Sequence, residues 1–146
     1  MWEYFLKGLI GLFLITTAVQ DIISKKIKVW VVALSTLLVC ICIPFCSALT
    51  ILDRIFGLLL GVGVIILSKA TKGKIGMGDG LVLSVTGLGL GFWCNLELFA
   101  LSLAVAAAFS VCLLILRLAN IKHSIPFIPF ILVSYLFLHI PIWAYI

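Results

Sequence analysis

Acidic side chains are scarce in this 146-residue chain: Glu3, Asp21, Asp53, Asp79 and Glu97 are the full set. Two of them stand in unusual contexts. Asp21 closes the apolar run 4–22 and precedes Lys25, Lys26 and Lys28, whereas Asp79 lies in Gly76-Met77-Gly78-Asp79-Gly80, between a basic stretch and another apolar run. Two carboxyl groups held within a few ångströms cannot both ionise cheaply, so one keeps a proton near neutral pH. Such a pair can hydrolyse a peptide bond. The ionised member takes a proton from water while the protonated one donates to the carbonyl, giving a tetrahedral intermediate without an acyl-enzyme. Asp21 and Asp79 are therefore the candidate functional residues. Gly76, Gly78 and Gly80 are their candidate backbone support, because glycines let the chain approach a neighbour or substrate closely. This is not a phosphate-binding loop, since neither a preceding strand nor a GxGxxG spacing nor a Gly-Lys-Ser/Thr ending is present.

The elements that must position these residues are membrane helices. With 65% apolar residues, 10% charged and a mean hydropathy of +1.41, the chain is excluded from the soluble globular class, whose shares are about 45–50% and about 25%. Apolar runs bounded by charges and turn residues predict six transmembrane helices near 4–22, 29–47, 51–69, 79–94, 96–117 and 127–146. The expected fold is an all-α bundle forming one domain over 1–146. Six spans of roughly 20 residues leave no room for an extramembrane domain, so a site has to be built from span ends and inner faces. Thr50 and Asp53 predict a capping box opening the third span, and Asn95 predicts an N-cap for the fifth. Pro126 and Pro129 fall where a sixth helix can begin.

Charge sets the expected orientation. Lys25, Lys26, Lys28, Lys69, Lys72, Lys74, Arg117 and Lys122 fall in or beside the first, third and fifth connections; Lys7 and Arg54 do not. The positive-inside rule makes those connections cytoplasmic and both termini extracytoplasmic, in a multi-pass protein of the cytoplasmic membrane. The net charge of +5 then reads as orientation in a lipid bilayer, and no nucleic-acid partner is expected. Because Trp2-Glu3 stands where a signal peptide has a basic leading region, the first run is expected to stay as a span. Glu3, Asp53 and Glu97 go to the outer side. Asp21 and Asp79 alone go to the cytoplasmic edge, where antiparallel helices bring their ends to one depth although 58 positions separate them. Carboxylates near hydrocarbon are costly and suggest function. Residue chemistry leaves two plainer roles open: Asp79 capping the fourth helix, and Asp21 pairing with Lys25 across one helical turn.

Gly76-Met77-Gly78-Asp79, followed by Leu81, Gly87 and Gly91, resembles the motif segment of the type IV prepilin peptidases, membrane aspartyl proteases with a GxGD motif. Asp21 matches the family's first catalytic Asp, and Ile125-Pro126-Phe127-Ile128-Pro129-Phe130 is similar to the Pro-Phe-x-Pro-Phe segment that opens its last helix. The resemblance implies an aspartic endopeptidase that cuts the short basic leader from a prepilin or pseudopilin at the cytoplasmic face, with no cofactor. Two departures stand out. Ile27-Lys28-Val29 replaces the family's Ile-Pro-Asn turn, and no Cys-x-x-Cys segment is present, so the resemblance is to the short, peptidase-only form and N-methylation is not expected.

The remaining signals have plainer readings. Cys40, Cys42, Cys46, Cys94 and Cys112 form no Cys-x-x-Cys pair, and with few converging ligands no metal is expected. His123, in the last cytoplasmic connection, could hydrogen-bond near the site but reads more plainly as a solvated loop histidine; His139 is assigned nothing. Gly57/Gly61 and Gly87/Gly91 read as helix packing within the bundle; Trp2, Trp30, Trp93 and Trp143 read as an aromatic belt. One rival reading is a small proton- or cation-coupled transporter using Asp21 and Asp79, which needs both acids near the bilayer midplane. Another is an assembly subunit in which the acids are idle. An archaeal preflagellin-type substrate stays open; a distant intramembrane protease is disfavoured, since no Pro-Ala-Leu stands near the C-terminus.

Overall fold

A computed structural model describes residues 1–46, 49–72, 76–116 and 126–139. They form α1 (Trp2–Ser24), α2 (Val29–Cys42) running into a 3-10 turn (Ile43–Phe45), α3 (Ile51–Ala70), α4 (Met77–Leu90), α5 (Phe92–Ile115) and α6 (Ile128–His139). No strand occurs among the described residues. Of the six helices, α1, α3 and α5 are long and apolar enough to cross a membrane; α4, α6 and α2 with its turn are shorter apolar helices. The outward faces are apolar too, as with Leu12, Ile15 and Val19 on α1 and Leu103, Phe109 and Val111 on α5. An apolar exterior of this extent suits lipid rather than water.

Several expected boundaries are corrected. The fourth helix starts at Met77 and stops at Leu90, and the fifth begins at Phe92 rather than 96. Between them Gly91 takes φ +83°, a left-handed value that glycine adopts without a Cβ clash. The run 87–93 is almost wholly apolar or glycine, so hydropathy carries no sign of this break. Asn95 is consequently no cap: it lies inside α5, fully buried. Its amide donates to Leu83 O (3.0 Å) and Gly57 O (3.3 Å) and its oxygen accepts from Thr86 Oγ1 (2.7 Å), tying three helices together in a setting where side-chain hydrogen bonds act as glue. The capping box is corrected as well. Thr50 is the N-cap residue of α3 but makes no side-chain capping bond, and Asp53 accepts the Phe92 N–H (3.3 Å) across the bundle instead.

The α3–α4 pair is the most extensive packing in the protein, and glycine is the reason. A Cβ on Gly57 would collide with the Gly87 carbonyl, and one on Gly61 with the Ser84 backbone. Both GxxxG pairs therefore meet within the bundle, where small residues let helix backbones touch. At the far end Arg54, 3% exposed, donates from Nη1 to Leu88 O (3.1 Å) and Gly89 O (3.3 Å), and from Nη2 to Cys46 O (3.1 Å). It satisfies carbonyls left over at the end of α4, where a cation also complements the helix dipole. The sequence placed Arg54 on the outer side without this role.

Candidate active site

The site lies where α1 ends and α2, α4 and α6 begin. Asp21 is three residues from the end of α1, about 5 Å along the axis, and α1 closes at Lys25, whose left-handed backbone (φ 50°) returns its N–H to Asp21 O at 3.0 Å. The following turn is held by Gln20, whose Oε1 accepts the Lys28 N–H at 3.2 Å. A side-chain hydrogen bond thus organises the turn that Ile27-Lys28-Val29 makes without proline.

Asp79 is the third residue of α4. The N-cap is Gly76, which has no side chain to cap with, and the Asp79 N–H reaches back to Gly76 O at 3.2 Å. A first-turn carboxylate is favoured by the helix dipole, so this placement satisfies the plainer reading in part. The glycines around it have three separate reasons. A Cβ on Gly76 would stand 2.8 Å from Asp79 Oδ2; one on Gly78 would strike the Ile27 side chain; one on Gly80 would come within 2.9 Å of Ile65 N on α3. Gly76 makes room for the carboxyl, Gly78 for the α1–α2 turn, and Gly80 for close helix packing.

Asp21 and Asp79 line one cavity of about 400 Å³, with Lys25, Lys26, Ile27 and Met77 among its other walls. Both are half-buried, and each carboxyl lies within electrostatic reach of the other; Lys25 acts on Asp21 as well. Asp21 has one partner that sequence reading missed: its Oδ2 accepts the Ile128 N–H at the first residue of α6, 3.2 Å away and 107 positions along the chain. The segment carrying Pro126, Phe127, Pro129 and Phe130 therefore starts its helix against Asp21. Nothing in the sequence pairs an acid with a particular backbone amide, although two prolines at a helix start were a signal that this turn is fixed.

At the opposite end a second cavity, about 390 Å³, opens among Lys7, Cys94, Glu97 and His139. Tyr135 donates its hydroxyl to Lys7 O there at 2.6 Å and stacks on His139. The five cysteines are free thiols. Among the described residues no group of three or more His, Cys, Asp or Glu side chains is placed to hold a metal ion. Lys74, Arg117, Lys122, His123, Ile125 and Trp143 lie outside the described residues.

Chemically, the arrangement offers two carboxyls lining one cavity, with the cations Lys25 and Lys26 in the same lining. A scan against protein-family models, a search of the curated proteins and a search of the solved structures return no match to this chain.

Proposed function

We propose that this chain is a membrane aspartyl endopeptidase that removes the leader from prepilin- or pseudopilin-like precursors. One observation carries the reading: Asp21 and Asp79, from helices far apart in sequence, line a single cavity. In this reading the six helices cross the cytoplasmic membrane with both termini outside, and the end bearing Lys25, Lys26, Lys28, Lys69 and Lys72 faces the cytoplasm. Water reaches the dyad from that side. One carboxyl, ionised, removes a proton from water as its oxygen bonds to the scissile carbonyl carbon; the other, protonated, donates to the carbonyl oxygen. Both acids stand at helix ends, which favours hydrolysis at a membrane edge over ion passage through the midplane. A basic leader gains little from the lysines at this rim, so apolar contact between the precursor's helix and the bundle supplies most of the docking energy.

The experiment is incubation of the purified chain with candidate prepilins, mapping each new N-terminus by mass spectrometry. Cleavage that falls by on the order of 10²–10⁴-fold in Asp21→Asn and in Asp79→Asn supports the dyad; normal leader removal by either variant rejects it.

A further inference from the structure

The two carboxyls of the dyad are held differently. Asp21 Oδ2 receives the Ile128 N–H at the first turn of α6, with the Phe127 amide beside it. Free N–H groups gather at this position, and a hydrogen bond from one of them favours a negative charge on Asp21; the helix dipole does not separate the two acids, since Asp79 stands in the first turn of α4. The Asp79 carboxyl is folded over Gly76 and, among the described residues, accepts no hydrogen bond. Of two half-buried carboxyls sharing a cavity, the one that accepts backbone N–H bonds is favoured as the charged member over the one that, among the described residues, accepts none.

We propose that the start of α6 divides the labour of the dyad, with the Ile128 amide holding Asp21 as the charged base and leaving Asp79 as the acid. The proposal rests on the peptidase reading and adds Ile128 as a positioning residue. In the forward step water loses a proton to Asp21 while its oxygen bonds to the scissile carbon, and the Asp79 proton passes to the carbonyl oxygen. In the collapse Asp21 returns its proton to the leaving nitrogen as the C–N bond breaks, and Asp79 recovers one from a hydroxyl of the intermediate. Among the described residues, the charged groups lining the cavity with Asp21 are Lys25 and Lys26 at the end of its own helix and Asp79 from α4; the first turns of α2 and α6, Val29 to Val32 and Ile128 to Ile131, carry none.

The test removes only the donor. An amide-to-ester replacement at position 128 keeps the isoleucine side chain, and Ile128→Pro removes the same N–H at a helix position that accepts proline. Ile128→Val retains the N–H as the conservative control. With a cleavable prepilin, the ester and proline forms are expected to lose on the order of 10- to 100-fold in kcat, as for a hydrogen bond to a charged group. KM is expected to hold, the acid limb of the kcat profile to move to higher pH, and the valine form to behave as wild type. An ester form with wild-type kcat and pH profile overturns the proposal. Infrared spectra of the protonated carboxyl give a readout without substrate. The wild-type band should vanish in Asp79→Asn, and the ester form should gain a second band from Asp21. A band that survives Asp79→Asn and vanishes in Asp21→Asn overturns the proposal, whether or not the chain cleaves. The expected bands in a chain that cleaves no prepilin support the division between the carboxyls and overturn the peptidase reading alone.

Discussion

Gly76 and Asp79 are in such close contact that a single methyl group on Gly76 would stand 2.8 Å from the Asp79 carboxyl oxygen. The backbone of Gly76, at φ −64° and ψ 123°, is one that any residue adopts, so the requirement for glycine comes from the carboxyl and not from the turn. Gly76→Ala should therefore fold with a loss of no more than about 1 kcal/mol, yet turn the Asp79 side chain away from Asp21. Cleavage is expected to drop by on the order of 100-fold, the usual penalty for misplacing a reacting group by about an ångström. Parallel measurement of thermal unfolding and prepilin cleavage checks the separation; equal losses in both would show that Gly76 serves folding only.

Two glycines of α3, two positions apart, should behave in opposite ways. A Cβ on Gly61 collides with the Ser84 backbone of α4, whereas one on Gly63 meets nothing within 4 Å. Gly61→Ala has to push two helices apart and is expected to cost about 1–3 kcal/mol, as overpacking does. Gly63→Ala is expected to be neutral or to stabilise by up to about 1 kcal/mol through helix propensity. Unfolding midpoints of the two variants in the same detergent decide the matter.

The buried Arg54 guanidinium satisfies carbonyls of Leu88, Gly89 and Cys46 at once. Its removal in Arg54→Ala leaves them without a donor and is expected to cost about 3 kcal/mol or more. Arg54→Lys should rescue little, because a single ammonium cannot reproduce the planar fork. Since Arg54 is at the end away from the dyad, the variant that still folds should keep the wild-type pattern of cleavage. Denaturant titration and leader-removal assays together check both halves of this expectation.

Orientation can be read from thiol chemistry. Cys94 is exposed at the end opposite the dyad, and Met77 is exposed at the dyad end, 51% accessible. In intact cells a membrane-impermeant maleimide should label Cys94, in a chain whose other cysteines are serine. Cysteine introduced at Met77 should react only after the membrane is opened. Labelling of both from outside would contradict the proposed topology.

The sequence alone determined the helical class, the membrane setting and the two acids of interest, because each follows from local quantities: hydropathy of a run, flanking charge and the rarity of Asp in apolar surroundings. It also marked Gly57, Gly61, Gly87 and Gly91 as packing positions, since small residues four apart share a helix face, although Gly91 lies just past the end of α4. It misjudged the break at Gly91, the capping by Asn95 and the pairing of Asp53 with Phe92, and it gave Arg54 no partners. Each of these depends on which backbone amide or carbonyl from another helix arrives at a given place, and hydrogen bonds between distant segments leave no periodicity to read. The same holds at the dyad. Composition and charge could bring Asp21 and Asp79 to one edge of the bundle, but only tertiary packing set them around one cavity and laid the first amide of α6 against Asp21, because that contact depends on how helices 107 positions apart come together.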